Sequence, residues 1–257
     1  MNVFIALLLF GSWNGMLPES HPLESLPLGN TNMVNPAGAL MAVDTRPLDT
    51  KKDPDSLSYG EMKTGIANLR KSLAENFREG TVTMDSIQEK FVENLVDNII
   101  PYWLDTPWSF EGHTAVPKHG KIACGYFIST TLRDMGLRLN RYKLAQKGPL
   151  DEAKALSCGE KIYSVVEMDP EKAFSEIDRI TKDGIYFIGF DKGHVGYVLK
   201  RNSALYLVHS NYLYPALVRI ESLKDSRVFQ SYTTFHLVAI SNNSTLMQRW
   251  LDNSTIL

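Results

Sequence analysis

Two spacings of hydrophobic residues divide this chain. Met62, Ile66, Leu69, Leu73 and Phe77 recur at steps of three and four with polar residues between them, the pattern of an amphipathic helix. Ile87, Phe91, Leu95 and Ile99 repeat the pattern as far as Pro101, and Gly80 between the two runs suits a helix end and a turn. The spacing predicts a helical hairpin over 59–101. A third helix is expected from Cys124 to Met135, ended by Gly136, and a fourth over 170–181, with Pro170 tolerated in its first turn. The period then drops to two. Segments 185–190, 194–199, 204–209, 216–220 and 233–240 are short, rich in β-branched and aromatic residues and separated by turn formers, as in an antiparallel sheet; 162–167 is also strand-like. Helices first and strands afterwards predict an α+β fold.

The start of the chain follows neither period. Residues 3–10 form an apolar run too short to span a bilayer and suited to the core of an export signal. No Lys or Arg precedes Arg46, so the signal lacks a basic leader, and the run also suits a first strand or helix of a cytoplasmic chain. Export, to a secreted or periplasmic location, is the expectation. Six prolines then fall between Gly11 and Ser58 and predict a linker, because proline blocks both helical and ladder hydrogen bonds. The expected organisation is a signal-like start and linker over 1–58, the hairpin over 59–101 and a main domain over 102–257.

Charge excludes one class of function. With 27 Lys+Arg against 29 Asp+Glu the chain has no basic excess, so no nucleic-acid partner is expected. Two cysteines, Cys124 and Cys158, are too few for a disulfide scaffold or a four-thiolate zinc site, and no cofactor or metal is expected. Phosphate-loop, dinucleotide, zinc-protease and serine-elbow motifs are absent from the sequence.

What remains is a thiol at the expected start of a helix. There the unpaired N–H groups and the helix dipole favour negative charge, which lowers a thiol pKa, and the same groups suit the oxyanion of an acyl-transfer step. His194 opens one predicted strand and His209 closes the next. A symmetric turn centred on Arg201 and Asn202 would set the two histidines directly opposite one another on one face, with β-carbons about 5 Å apart. One imidazole would then take the thiol proton while the other fixes its orientation. Asn211, two residues beyond His209, is the alternative orienting group and a candidate substrate contact. Trp108 is a candidate cleft residue. Cys158, with no histidine near it in sequence, is read as buried or idle.

At these residues the chain resembles the papain-like cysteine hydrolases of the NlpC/P60 superfamily. The resemblance runs from Thr106-Pro-Trp-Ser-Phe-Glu-Gly112 through Ile-Ala-Cys124-Gly-Tyr-Phe and Gly-His194-Val-Gly-Tyr to Val-His209-Ser-Asn-Tyr. It implies a papain-like core in which a nucleophile-bearing helix packs on an antiparallel sheet, with Cys124 as nucleophile, His194 as base and His209 as third polar residue. It also implies a peptide or peptidoglycan-like substrate, cut at an amide bond of a cell-wall stem peptide. Where the family usually has Asp-Cys-Ser, this chain has Ala123-Cys124-Gly125. The expected activity is thiol-dependent peptide or amide hydrolysis; the alternative is a catalytically silent domain that holds a peptide or protein partner in the same cleft. Acyl transfer of transglutaminase type fits less well, since neither 209 nor 211 is Asp.

Overall fold

The computed structural model describes residues 57–257. The apolar run at 3–10 and nearly all of the proline-rich stretch lie outside the described residues. The first element is α1 (Tyr59–Arg78), opened by a reciprocal cap in which Ser58 Oγ accepts from the Glu61 amide while the Glu61 carboxylate accepts from the Ser58 amide. After a short turn, α2 (Met84–Glu93) passes into a π-helical segment, Asn94–Ile99, and then α3 (Ile100–Trp103). The helix therefore runs through Pro101 rather than stopping there. The wider π turn, in which the Ile100 amide reaches back to Leu95 O, accommodates a proline that has no N–H to donate.

The hairpin packs on the rest of the described chain. Ile66, Leu73, Ile87 and Phe91 share one core with Phe127, Leu132 and Trp250. Polar ties fix it to α4 (Cys124–Asp134): Trp103 Nε1 donates to Tyr59 Oη at 2.8 Å, and Tyr59 Oη donates to Asp134 Oδ2 at 2.7 Å. After α4 come α5 (Arg141–Ala145) and α6 (Pro149–Ser157), then β1 (Tyr163–Val166) and α7 (Pro170–Ile180).

Strands β2 (Gly184–Phe190), β3 (His194–Arg201), β4 (Ala204–Ser210), β5 (Val218–Ser222) and β6 (Thr234–Ala239) follow, and α8 (Ser244–Leu251) closes the chain. The six strands form one antiparallel sheet in the order β1-β6-β2-β3-β4-β5, so the fold is α+β.

The alternation of side chains gives this sheet two buried faces. Phe187, Val195, Tyr197, Leu199 and Val208 face the layer that contains α4 and the hairpin. Ile188, Phe190, Val198, Leu205 and Leu207 face a second cluster with Ala173 and Ile177 of α7 and with Val228 and Phe229. Strands β2 and β3 run through the middle and are covered on both sides, which is why their sequences read as nearly continuous apolar runs. Among the described residues no helix is long and apolar enough to cross a membrane.

The turn between β3 and β4 differs from expectation. Arg201 pairs with Ala204, so the loop is Asn202-Ser203, and both residues have positive φ, 53° and 63°. Left-handed geometry at both loop positions is the tight hairpin that matches strand twist. The ladder is thus offset by two residues from one centred on Arg201 and Asn202. His209 falls opposite Gly196 rather than His194, and a Cβ on Gly196 would lie 3.1 Å from His209 Cβ. An offset of two keeps parity, so the two histidines remain on one face.

Candidate active site

Cys124 is the first residue of α4. Ala123 precedes it in an extended conformation and offers no side-chain cap to the first-turn amides. Two contacts position this turn. Ser210 Oγ, one residue beyond His209, donates to Ile122 O at 2.7 Å and ties the approach to α4 onto β4. Gly125 lets the C-terminal end of α5 close on the helix start, where a Cβ would meet Ala145 O at 2.7 Å. Ala145 therefore explains the glycine at this position in physical terms.

The sulfur lies against the start of β3. Sγ is 3.9 Å from Gly193 O and lies near the Val195 amide, so the backbone on both sides of His194 is beside it. Cys124 is half-buried, yet enough protein surrounds the sulfur that burial pushes its pKa up to about 11. The amides of Val195, Gly125 and Cys124 act in the opposite direction and are outweighed. This corrects the expectation of a thiol lowered by the helix terminus: desolvation of the thiolate wins over the dipole.

His194 and His209 are brought together. His194 Nε2 and His209 Nδ1 are 2.9 Å apart, with the rings nearly perpendicular at 80°. Both residues are buried, and burial lowers the pKa of each; the charge of His209 adds to the effect on His194. The rings hang on the face of Phe190, opposite the face that carries α4. Phe190 and Tyr212 flank His194 at ring distances of 5.3 Å and 5.2 Å. Among the described residues, no hydrogen bond joins Sγ to the His194 ring, and His194 Nδ1 has no partner.

Sequence reasoning missed the next member. Glu221 Oε1 is 3.2 Å from His209 Nε2, a close but poorly aligned contact. Ser226 Oγ donates to Glu221 Oε1 at 2.5 Å, and Arg219 Nε lies 3.1 Å from Oε2. Burial acts to raise the Glu221 pKa, but His209, Ser226 and Arg219 together bring it below the usual carboxylate value. The predicted fourth strand ended at Ile220, one residue short. In β5, Arg219 and Glu221 alternate with the inward Val218 and Ile220, a polar pair beside a buried histidine strand and the one signal available.

Two further predicted residues have other roles. Asn211 does not orient His194. Its side chain donates to Leu213 O at 3.0 Å and Pro215 O at 3.3 Å and accepts from the Leu213 amide at 2.9 Å, locking the β4–β5 loop on itself. Trp108 packs on Tyr212 at 6.1 Å, so it stands one ring away from His194. Its backbone amide donates to Ala216 O at 2.8 Å and pins its loop to the β4–β5 loop. Cys158 is a half-buried free thiol in a left-handed helix cap, φ 50°, and forms no disulfide with Cys124.

Tyr212 Oη and Tyr232 Oη are 3.2 Å apart, and Tyr232 packs on Phe190 while also sensing Cys124. Glu152 of α6 is 1% exposed, and burial raises its pKa well above the usual value; a charge there acts on Cys124. Five buried side-chain polar atoms lack a partner among the described residues, and four belong to this neighbourhood: Trp108 Nε1, Glu152 Oε1, Asp191 Oδ1 and His209 Nε2. Unsatisfied buried polar groups are costly unless a partner reaches them.

No described group of three or more His, Cys, Asp or Glu is arranged to hold a metal ion. No protein-family model matches the chain, nor does any curated protein or solved structure.

Proposed function

We propose that this protein is a thiol hydrolase of peptide or amide bonds, built on a papain-like core of NlpC/P60 type. Cys124 is the nucleophile, His194 the general base and His209 the residue that orients it. The observation that carries the reading is the buried His194–His209 pair at the end of β3 whose backbone holds the Cys124 sulfur.

The resting charges fit a proton-transfer mechanism. A thiol with a raised pKa is protonated near neutral pH, and an imidazole with a lowered pKa is a free base. In the reaction the S–H proton passes to His194 Nδ1 as Sγ bonds to the substrate carbonyl carbon. The resulting oxyanion is held by the first-turn amides of α4. The imidazolium then protonates the departing amine, and water releases the acyl group by the same route in reverse. Contact between Sγ and Nδ1 forms with substrate in place, since catalytic hydrogen bonds are often long or absent before it binds. Trp108 and Tyr212 border the substrate. The resemblance to the NlpC/P60 enzymes supplies the substrate class, cell-wall stem peptides, and the apolar run at 3–10 supplies an exported location.

One observation favours a second reading, a silent domain that holds a peptide: the sulfur is enclosed and not hydrogen-bonded to the imidazole. Incubating the protein with purified cell wall and its stem peptides, with mass analysis of the fragments, separates the two. Amide cleavage that disappears in Cys124→Ala supports the hydrolase. Saturable peptide binding without cleavage in wild type and variant alike supports the binding domain.

A further inference from the structure

We propose that Glu221 sets the tautomer of His194 through His209, making His194 Nδ1 the atom that accepts the thiol proton. The inference rests on the hydrolase reading for its catalytic meaning, but the relay has a readout of its own.

A neutral imidazole has one N–H and one acceptor nitrogen. Glu221 is ionised and offers only acceptors, and its two oxygens are already fixed by Ser226 and Arg219. The nitrogen that faces it, His209 Nε2, is 3.2 Å from Oε1 in a contact not aligned as a hydrogen bond, and only its protonated form is attracted to the carboxylate, so the proton sits there. His209 Nδ1 is then an acceptor. The nitrogen 2.9 Å from it, His194 Nε2, must be the donor. His194 Nδ1 is left with its lone pair, and among the described residues it has no partner. Both rings are thus locked as Nε2–H, and the free base points away from the relay.

Without the carboxylate the order is free to reverse. His209 would gain its proton on Nδ1 and donate to His194 Nε2, so His194 would hold its proton on Nδ1 and lose its basic site. Glu221 touches neither thiol nor substrate and is a positioning residue. When Nδ1 takes the thiol proton, His194 becomes an imidazolium that still donates from Nε2, and the carboxylate lies across His209 from the new positive charge. The charged and titratable groups facing His209 are His194 on β3 and Glu221 and Arg219 on β5.

The test is ¹⁵N NMR of the full chain labelled at histidine nitrogens, assigned with His194→Gln and His209→Gln. The expected wild-type spectrum shows protonated Nε2 and bare Nδ1 for both residues. Glu221→Ala is expected to shift His209 toward the Nδ1–H form, with the rest of the spectrum dispersed as before. Glu221→Gln, whose amide keeps one acceptor oxygen, gives an intermediate shift. His194 protonated on Nδ1 in the wild type, or tautomers unchanged in Glu221→Ala, would overturn the proposal. If Glu221→Ala does not fold, the wild-type spectrum alone decides. On a cleavable peptide, Glu221→Ala is expected to lower kcat by about 10-fold to 100-fold with KM little changed. A spectrum with the expected tautomers in a protein that cleaves nothing would leave the relay standing and defeat the hydrolase reading.

Discussion

His209 reaches His194 across a diagonal. The residue opposite His209 in the ladder is Gly196, and the 2.9 Å contact between His194 Nε2 and His209 Nδ1 crosses the space that the glycine leaves open. A side chain at 196 would have its Cβ 3.1 Å from His209 Cβ and compete with that ring for one place on the sheet. The short pair thus depends on a residue that makes no polar contact. Gly196→Val is expected to break it and to cost about 1–3 kcal/mol from overpacking, read as a lower Tm and a change in the histidine ¹⁵N shifts.

The thiol gives a pH prediction. Cys124 has a folded pKa of about 11, so its alkylation by iodoacetamide should keep rising with pH well beyond the range, centred near 8.5, over which a free thiol titrates. The stability linkage has the same origin: with the folded value above the unfolded one, stability is full below the unfolded pKa and is lost as pH climbs toward 11. A labelling curve that reached its plateau below pH 8 would contradict the burial of this sulfur.

The two histidines act at the other end of the pH scale. Both have lowered folded pKa values, so the unfolded chain takes up protons first as pH falls. Stability is present above the unfolded value, about 6.5, and drains away below it. His209→Gln should flatten the decline of Tm between pH 7 and pH 5 relative to wild type, even if its Tm at pH 7 is lower.

Glu152 carries the opposite sign. Its folded pKa is raised by burial, so the native state holds a proton that the unfolded state releases, and stability falls as pH rises through and above the ordinary carboxylate range. Glu152→Gln should therefore raise Tm at pH 8 more than at pH 4. It should also lower the apparent thiol pKa of Cys124, because a charge at Glu152 acts to raise it.

Ser210 joins the halves of the site. Ser210→Ala leaves the buried Ile122 carbonyl without the 2.7 Å hydrogen bond that anchors the approach to α4, at a cost of about 1–3 kcal/mol. The activity loss should exceed that of a surface Ser→Ala, because the first turn that holds Cys124 loses its tie to β4.

The parts of this structure legible in the sequence are those written in period. The hairpin helices, α4 ended by Gly136 and α7 follow from a spacing of 3.6, and the six strands from short β-branched and aromatic runs set between turn formers. The pairing of His194 with His209 survived an error in register because parity, and not the exact partner, decides the face. The turn was misplaced because Asn202-Ser203 lacks the glycine that usually marks a tight hairpin. Helices α5, α6 and α8 were missed: α5 and α6 are short and lie in the tract between the third helix and the first strand, and their role is to close on α4 and β2 rather than to show a repeating stripe. Tyr232 could not be read as a partner of the site, and Glu221 only through its alternation with Val218 and Ile220, since their proximity to Cys124 and His209 exists only in the folded sheet.

The most direct measurement is covalent capture. Wild-type protein, Cys124→Ala and His194→Ala are treated with a peptidyl chloromethyl ketone at neutral pH, and adducts are located by intact mass and peptide mapping. The account predicts a single adduct on Cys124, absent from Cys124→Ala and formed at least about 100-fold more slowly in His194→Ala. Labelling at the same rate with and without the His194 imidazole, or labelling on Cys158 instead, would contradict it.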